Sequence, residues 1–88
     1  MPAQQMQVDL YKRRKEINKE LCDVLYDIDF FTNLIAWLRS GADYNSEKIN
    51  LITAVRMRLD YLKERKQKLE TELQEISDQE RMFENGTK

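Results

Sequence analysis

Apolar residues recur along the first half of the chain at alternating steps of three and four, through Leu10, Ile17, Leu21, Val24, Ile28, Phe31, Ile35 and Leu38, with Arg14 completing the spacing between the first two. That spacing is a heptad seam, the stripe along which one α-helix packs on another. The rhythm breaks over residues 40–46 and returns through Ile52, Val55, Leu59, Leu62, Leu69, Leu73, Ile76 and Phe83, with Lys66 and Glu80 as polar interruptions. Two helices are predicted, about 5–40 and 46–84, each some 50 Å long at 1.5 Å rise per residue. The interval between them carries suitable punctuation. Gly41 suits the left-handed position that ends many helices, and the side-chain oxygen of Asn45 suits the N-cap of the next. Tyr44 and Ile49 fall at the N′ and N4 positions of a hydrophobic staple.

A connection this short brings the helices side by side and antiparallel. The charge pattern supplies an independent check. With Leu21, Ile28 and Ile35 at position a of the first helix, and Ile52, Leu59, Lys66 and Leu73 at position a of the second, the g positions become Arg13, Glu20, Asp27, Leu34 and Leu51, Arg58, Arg65, Glu72. In an antiparallel pair g faces g′, which matches Arg13 with Glu72, Glu20 with Arg65, Asp27 with Arg58 and Leu34 with Leu51. The two residue numbers of every pair add to 85. The same register stacks Phe31 on Ile52, Ile28 on Val55, Val24 on Leu59 and Leu21 on Leu62. Each exposed charge pair contributes only about 0.2–1 kcal/mol, so these pairs select a register more than they stabilise one. The expected fold is all-α: an antiparallel coiled-coil hairpin forming one domain over 1–88, with frayed tails at 1–4 and 85–88.

Apolar residues are not spread evenly along this hairpin. The half far from the turn is thin and highly charged, with Arg14 and Lys66 in the seam, and is expected to fray. Near the turn, helix 1 adds Cys22, Leu25, Tyr26, Phe30, Leu34 and Trp37 to its seam, and helix 2 adds Ile49, Leu51, Ala54, Met57 and Tyr61. One partner helix cannot cover them all. The heptad places Phe30, Leu34, Trp37, Leu51, Ala54 and Tyr61 at c and g positions, so in the hairpin they converge on one flank. Fully burying a large apolar side chain contributes on the order of 1.5–3 kcal/mol, and a flank this rich in Trp, Tyr and Phe has the composition of an interface core.

Chain length sharpens the point. Eighty-eight residues make one small domain, and such a chain buries only about 60% of its unfolded surface. A lone cysteine excludes an internal disulfide, and the absence of histidine removes the commonest metal ligand. What remains is association: a homodimer forming a four-helix bundle near the turn, a different protein partner, or both. Two glycines and a single proline at position 2 fit helices, and no strand pattern competes. The opening Met1-Pro2-Ala3-Gln4-Gln5 is not a basic segment leading into an apolar one, and no apolar run approaches the roughly 18 residues of a membrane span. The expectation is a cytoplasmic chain that does not engage membranes. Asn85-Gly86-Thr87 fits a glycosylation acceptor, but in this setting reads as a helix end, with Gly86 just past it.

Catalysis is not expected. No histidine is available for general base work, no glycine-rich loop for phosphate, and no second cysteine to resolve a redox intermediate on Cys22, which is expected to pack as a small hydrophobe. Glu16, Glu20, Asp23 and Asp27 share a helix face that could hold a hard cation, but Arg58 and Arg65 opposite give those carboxylates a simpler role, so no metal, cofactor or small-molecule substrate is assigned. Net charge is −1, too little to steer the whole molecule toward nucleic acid. The run Lys12-Arg13-Arg14-Lys15 spreads around its helix and cannot form one stripe. A better nucleic-acid candidate is the basic stretch of helix 2, in particular Arg56, Lys63, Lys66 and Lys68, with Tyr61 nearby to stack on a base. The leading expectation is a non-catalytic protein–protein interaction module, an adaptor, assembly factor or inhibitor, acting through the aromatic flank. The alternative is a small nucleic-acid-associated regulator using helix 2.

Overall fold

A computed structural model describes residues 2–41 and 43–86, with the side-chain surroundings of 5–41 and 43–84. Helix α1 spans Pro2–Ser40 and α2 spans Ser46–Gly86. They pack against each other as an antiparallel pair in a rod of 66 × 15 × 15 Å, and no strand occurs among the described residues. Both helices outrun the expected limits. Pro2 is accommodated in the first turn of α1, where a missing N–H leaves no bond unmade, and Gly86 belongs to the last turn of α2 rather than following it. Of the tails expected at 1–4 and 85–88, the described parts are therefore helical; Met1, Thr87 and Lys88 lie outside the described residues.

The turn differs from expectation in its chemistry. Gly41 does not take the left-handed conformation. Side chains close the end of α1 instead: Ser40 Oγ donates to the Trp37 carbonyl at 2.7 Å, and Tyr44 Oη donates to the Arg39 carbonyl at 3.2 Å. Two of the carbonyls a helix end leaves unpaired are thereby satisfied, which removes the need for a left-handed glycine. The room that Gly41 leaves is used by Lys48, whose Nζ would lie 2.5 Å from a Cβ placed there. Asn45 is the N-cap, as expected: its Oδ1 accepts from the Lys48 backbone N–H at 2.8 Å, and its carbonyl accepts from Ile49 N–H at 3.1 Å. Tyr44 and Ile49 both remain more than half exposed, and the Tyr44 ring carries the Lys48 ammonium 5.4 Å from its centroid. Tyr44 serves the end of α1 more than a staple on α2.

Every seam residue is buried or half-buried, Arg14, Lys66 and Glu80 included. Leu21 packs against the cluster that contains Leu62, and Ile28 against the one that contains Val55, in keeping with two of the four expected layers. Ile28 and Phe31 touch both clusters and make the core continuous.

The far half is not the weak half on burial grounds. The two fully enclosed side chains of the core, Ile17 and Leu69, both at 0% exposure, lie there. Long charged side chains cover apolar surface with their stems while their heads reach water. Arg14 does so with its guanidinium 2.9 Å from Glu80, and Lys66 with its ammonium 3.6 Å from Glu70. The seam charges thus cap the core. Leu69→Ala is expected to cost about 2–4 kcal/mol and Asn45→Ala about 1 kcal/mol in urea unfolding followed by helical circular dichroism at one protein concentration. A smaller loss for Leu69→Ala than for Asn45→Ala would show that the far half contributes little packing.

Candidate interaction surface

The surface that matters is built on the g and c positions, and its scaffold is the g–g′ edge. Two of its three expected charge pairs close. Arg13 Nη2 donates to Glu72 Oε2 at 2.6 Å, and Arg65 donates to one oxygen of Glu20 through Nε at 2.9 Å and Nη2 at 2.5 Å. Arg13 also reaches Glu16 on its own helix at 3.3 Å. Both guanidiniums are held above the ordinary arginine pKa, Arg13 chiefly by its hydrogen bond to Glu72 and Arg65 chiefly by its bond to Glu20. A raised pKa means that the contribution is complete below the unfolded value and is lost only as pH climbs through the folded one. Both values lie in strong alkali, so loss of the arginine protons plays no part at neutral pH.

The third pair does not form. Arg58 leaves Asp27 and lies over the ring of Tyr61, 5.0 Å from its centroid. Tyr61 is one turn along the same helix, and an exposed cation–π contact, worth about 0.5–1 kcal/mol, is no weaker than an exposed ion pair, worth about 0.2–1 kcal/mol, so the partner on the same helix prevails. The fourth position is apolar but split: Leu34 is half-buried against Ile35, Val55 and Leu59, while Leu51 is 48% exposed.

Around this edge the aromatic flank stands open. Trp37 is 70% exposed, Phe30 and Tyr61 each 54%, and Ala54 is exposed as well. Trp37 and Leu51 line a cleft of about 430 Å³ at the turn, together with Leu38 and Lys48. Phe30 and Leu34 line a second of about 290 Å³ with Tyr26, Asp29 and Asn33. Phe30 is steadied edge-on against Phe31, centroids 5.4 Å apart at 78°. Tyr61 takes its place lower down under Arg58, where apolar surface gives way to charge.

Some contributors were not assigned to this flank from the sequence. Tyr26 extends the Phe30 cleft around the outside of α1 and is 73% exposed. At the open end of the rod Met6 and Met82 line a cleft of about 440 Å³ with Gln79 and Phe83. The signal for the methionines was present, because Met6 continues the g series and Met82 the c series of the same heptads.

Cys22 is a correction: it is exposed, not packed. Its b position points away from the seam, and one partner helix does not reach it. The basic candidates of α2 do not gather. Arg56 and Lys63 line a shallow groove with Thr32, Arg39 and Asp60 on the edge opposite the aromatic flank, Lys66 is engaged by Glu70, and Lys68 occupies a c position. Among the described residues no group of three or more carboxylates and thiols converges as a metal site. No described helix is long and apolar enough to cross a membrane. Comparison with protein-family models, with curated proteins and with solved structures yields no significant match.

Two measurements check this surface. Cys22 is expected to react with a thiol reagent under native conditions to completion, at about the rate of a small free thiol, since an exposed thiol needs no unfolding to react; reaction limited by an opening step would contradict its exposure. Arg65→Ala is expected to lower the melting temperature by a few degrees at low salt, a difference that shrinks as salt screens the pair. An effect indifferent to salt would remove the ionic explanation.

Proposed function

We propose that this chain is a non-catalytic protein–protein interaction module, an adaptor, assembly factor or inhibitor that covers part of a partner protein with the aromatic flank beside its turn. The observation that carries the reading is the exposure of Trp37, Phe30, Tyr61 and Leu51 together on one flank of a rod only 15 Å across. Large aromatic side chains left in water are costly and are the residue types that dominate binding energy when desolvated. Homodimerisation into a four-helix bundle is one use of such a flank, and a bundle could still engage a client through its remaining surface. The reading places the protein in the cytoplasm, where a solvent-facing thiol such as Cys22 remains reduced. A nucleic-acid-associated regulator has less support, because Arg56 and Lys63 lie on the edge opposite Lys68.

Trp37→Glu tests the proposal. Trp37 contributes little to the core, so helicity and melting temperature at a concentration where the chain is monomeric should stay within a few degrees of the parent. Self-association in sedimentation equilibrium, or retention of a purified partner, should fall at least about ten-fold, as expected for a central aromatic anchor. A folded variant that associates as the parent does would end the interaction reading of this flank.

A further inference from the structure

We infer that the occupant of this flank is a second copy of the same chain, lying along its full length with both turns at the same end, so that α1 of each copy faces α2 of the other. The inference rests on the reading of the flank as an interface and adds its occupant, orientation and register.

Size comes first. A stable interface buries about 800 Å² on each partner. The long face of the rod offers roughly 1,000 Å² and the turn-proximal half only about 500 Å², so an aromatic patch acting alone is undersized. The flank supplies an extension. Its open end carries a second apolar spot, Met6 at 53% and Met82 at 73% exposure, on the same g and c series. Apolar ends bracket a charged middle, and a copy spanning both ends must also accommodate that middle.

Symmetry then leaves two ways to lay the flank on itself. A two-fold axis across the rod places α1 against α1 of the second copy and the turns at opposite ends. A two-fold axis along the rod places α1 against α2 of the second copy and the turns together. Between its apolar ends the α1 flank holds Asp9, Glu16, Glu20, Asp23 and Asp27 against the single base Arg13. The crosswise axis would set these carboxylates on their own copies. The α2 flank holds Arg58, Arg65 and Lys68 in its middle, with Glu72 and Glu75 beyond them; the lengthwise axis sets the acids from Glu16 to Asp27 against those three bases and leaves Asp9 level with Glu75 near the open end.

Heights follow from the hairpin itself. Residues level with each other on the c series have numbers adding to 84, as Phe30 and Ala54, Asp23 and Tyr61, Glu16 and Lys68 do. Under the lengthwise axis these become contacts between copies: Phe30 fills the space over Ala54, and Glu16 meets Lys68. Asp27 and Arg58, the g pair left open within one chain, fall at the border of the aromatic patch, where they come opposite the corresponding residues of the second copy. Every neighbouring pair of helices in the resulting four-helix bundle is antiparallel.

Mixing two single charge reversals tests this. Glu16→Lys alone sets lysine against lysine across both symmetric contacts, and Lys68→Glu sets glutamate against glutamate. Each should weaken its own dimer about ten-fold in sedimentation equilibrium. Mixed in equal amounts the two variants should form a heterodimer about as tight as the parent, because both contacts regain opposite charges, and rescue between chains owes nothing to effects within one. A second measurement needs no weakened dimer: spin labels on Val8→Cys in a Cys22→Ser background should lie within about 35 Å of each other between copies, against more than about 45 Å if the turns point apart. Failure of the mixture to recover, or the longer distance, overturns the orientation while leaving the flank as an interface. A parent that stays monomeric throughout the micromolar range overturns the second copy as occupant, and the separate Trp37→Glu comparison against a different partner then decides the interface reading.

Discussion

Two helices laid side by side share a single line of contact, and each can hide only one stripe of its surface in the other. The seam from Leu10 to Leu38 and from Ile52 to Phe83 uses that line completely, with Ile17 and Leu69 enclosed in the half away from the turn. Any further apolar residue has nowhere to go within the chain. The exposure of Trp37, Phe30, Leu51 and Tyr61 is therefore a consequence of architecture: a two-helix rod has no second layer to receive them. Association is the outlet we propose for this uncovered surface.

Charge is distributed to match. Where the aromatic surplus near the turn gives out, in the half away from it, the helices are clamped by Arg13 with Glu72, Arg14 with Glu80 and Arg65 with Glu20. These contacts are half-exposed and individually weak, but they occupy the rim of the seam, and the stems of Arg14 and Lys66 help to cover it. The same g positions border the aromatic flank. Residues that set the register of the hairpin thus also set the electrostatic character of the surface it presents, acidic on α1 and basic on the middle of α2. Arg58 marks the transition, because it gives up the pairing that would complete the hairpin rim and covers Tyr61 instead.

Helix lengths, antiparallel order, seam layers, the Asn45 cap and two of the three charge pairs were legible from the linear sequence. Each depends on spacing within a helix or on a register that adds to a constant, and such relations survive without coordinates. The heptad assigns residues 30, 34, 37, 51, 54 and 61 to one flank because it gives direction as well as contact, and of these the structure brings Trp37 beside Leu51 and Phe30 beside Leu34. The methionines at the open end were equally assignable but lie apart from the aromatic cluster that drew attention, and Tyr26 joins the flank only because it lines the same cleft as Phe30.

What required the folded chain was the choice among competing local partners. Spacing offers Arg58 both Asp27 across the seam and Tyr61 along its own helix, and only the positions of the side chains decide between contacts of equal worth. Composition near Cys22 suggested burial, yet its b position carries it past the reach of the single neighbouring helix. At the turn, Gly41 suits a left-handed backbone by its type, but Ser40 and Tyr44 take up the free carbonyls and it does not adopt one. The sequence by itself determined which stripes meet and in which direction, because periodicity and charge complementarity are properties of the chain read along a helix. The tertiary structure decided which polar groups satisfy one another and which apolar groups stay uncovered, because those outcomes depend on distances that no spacing rule specifies.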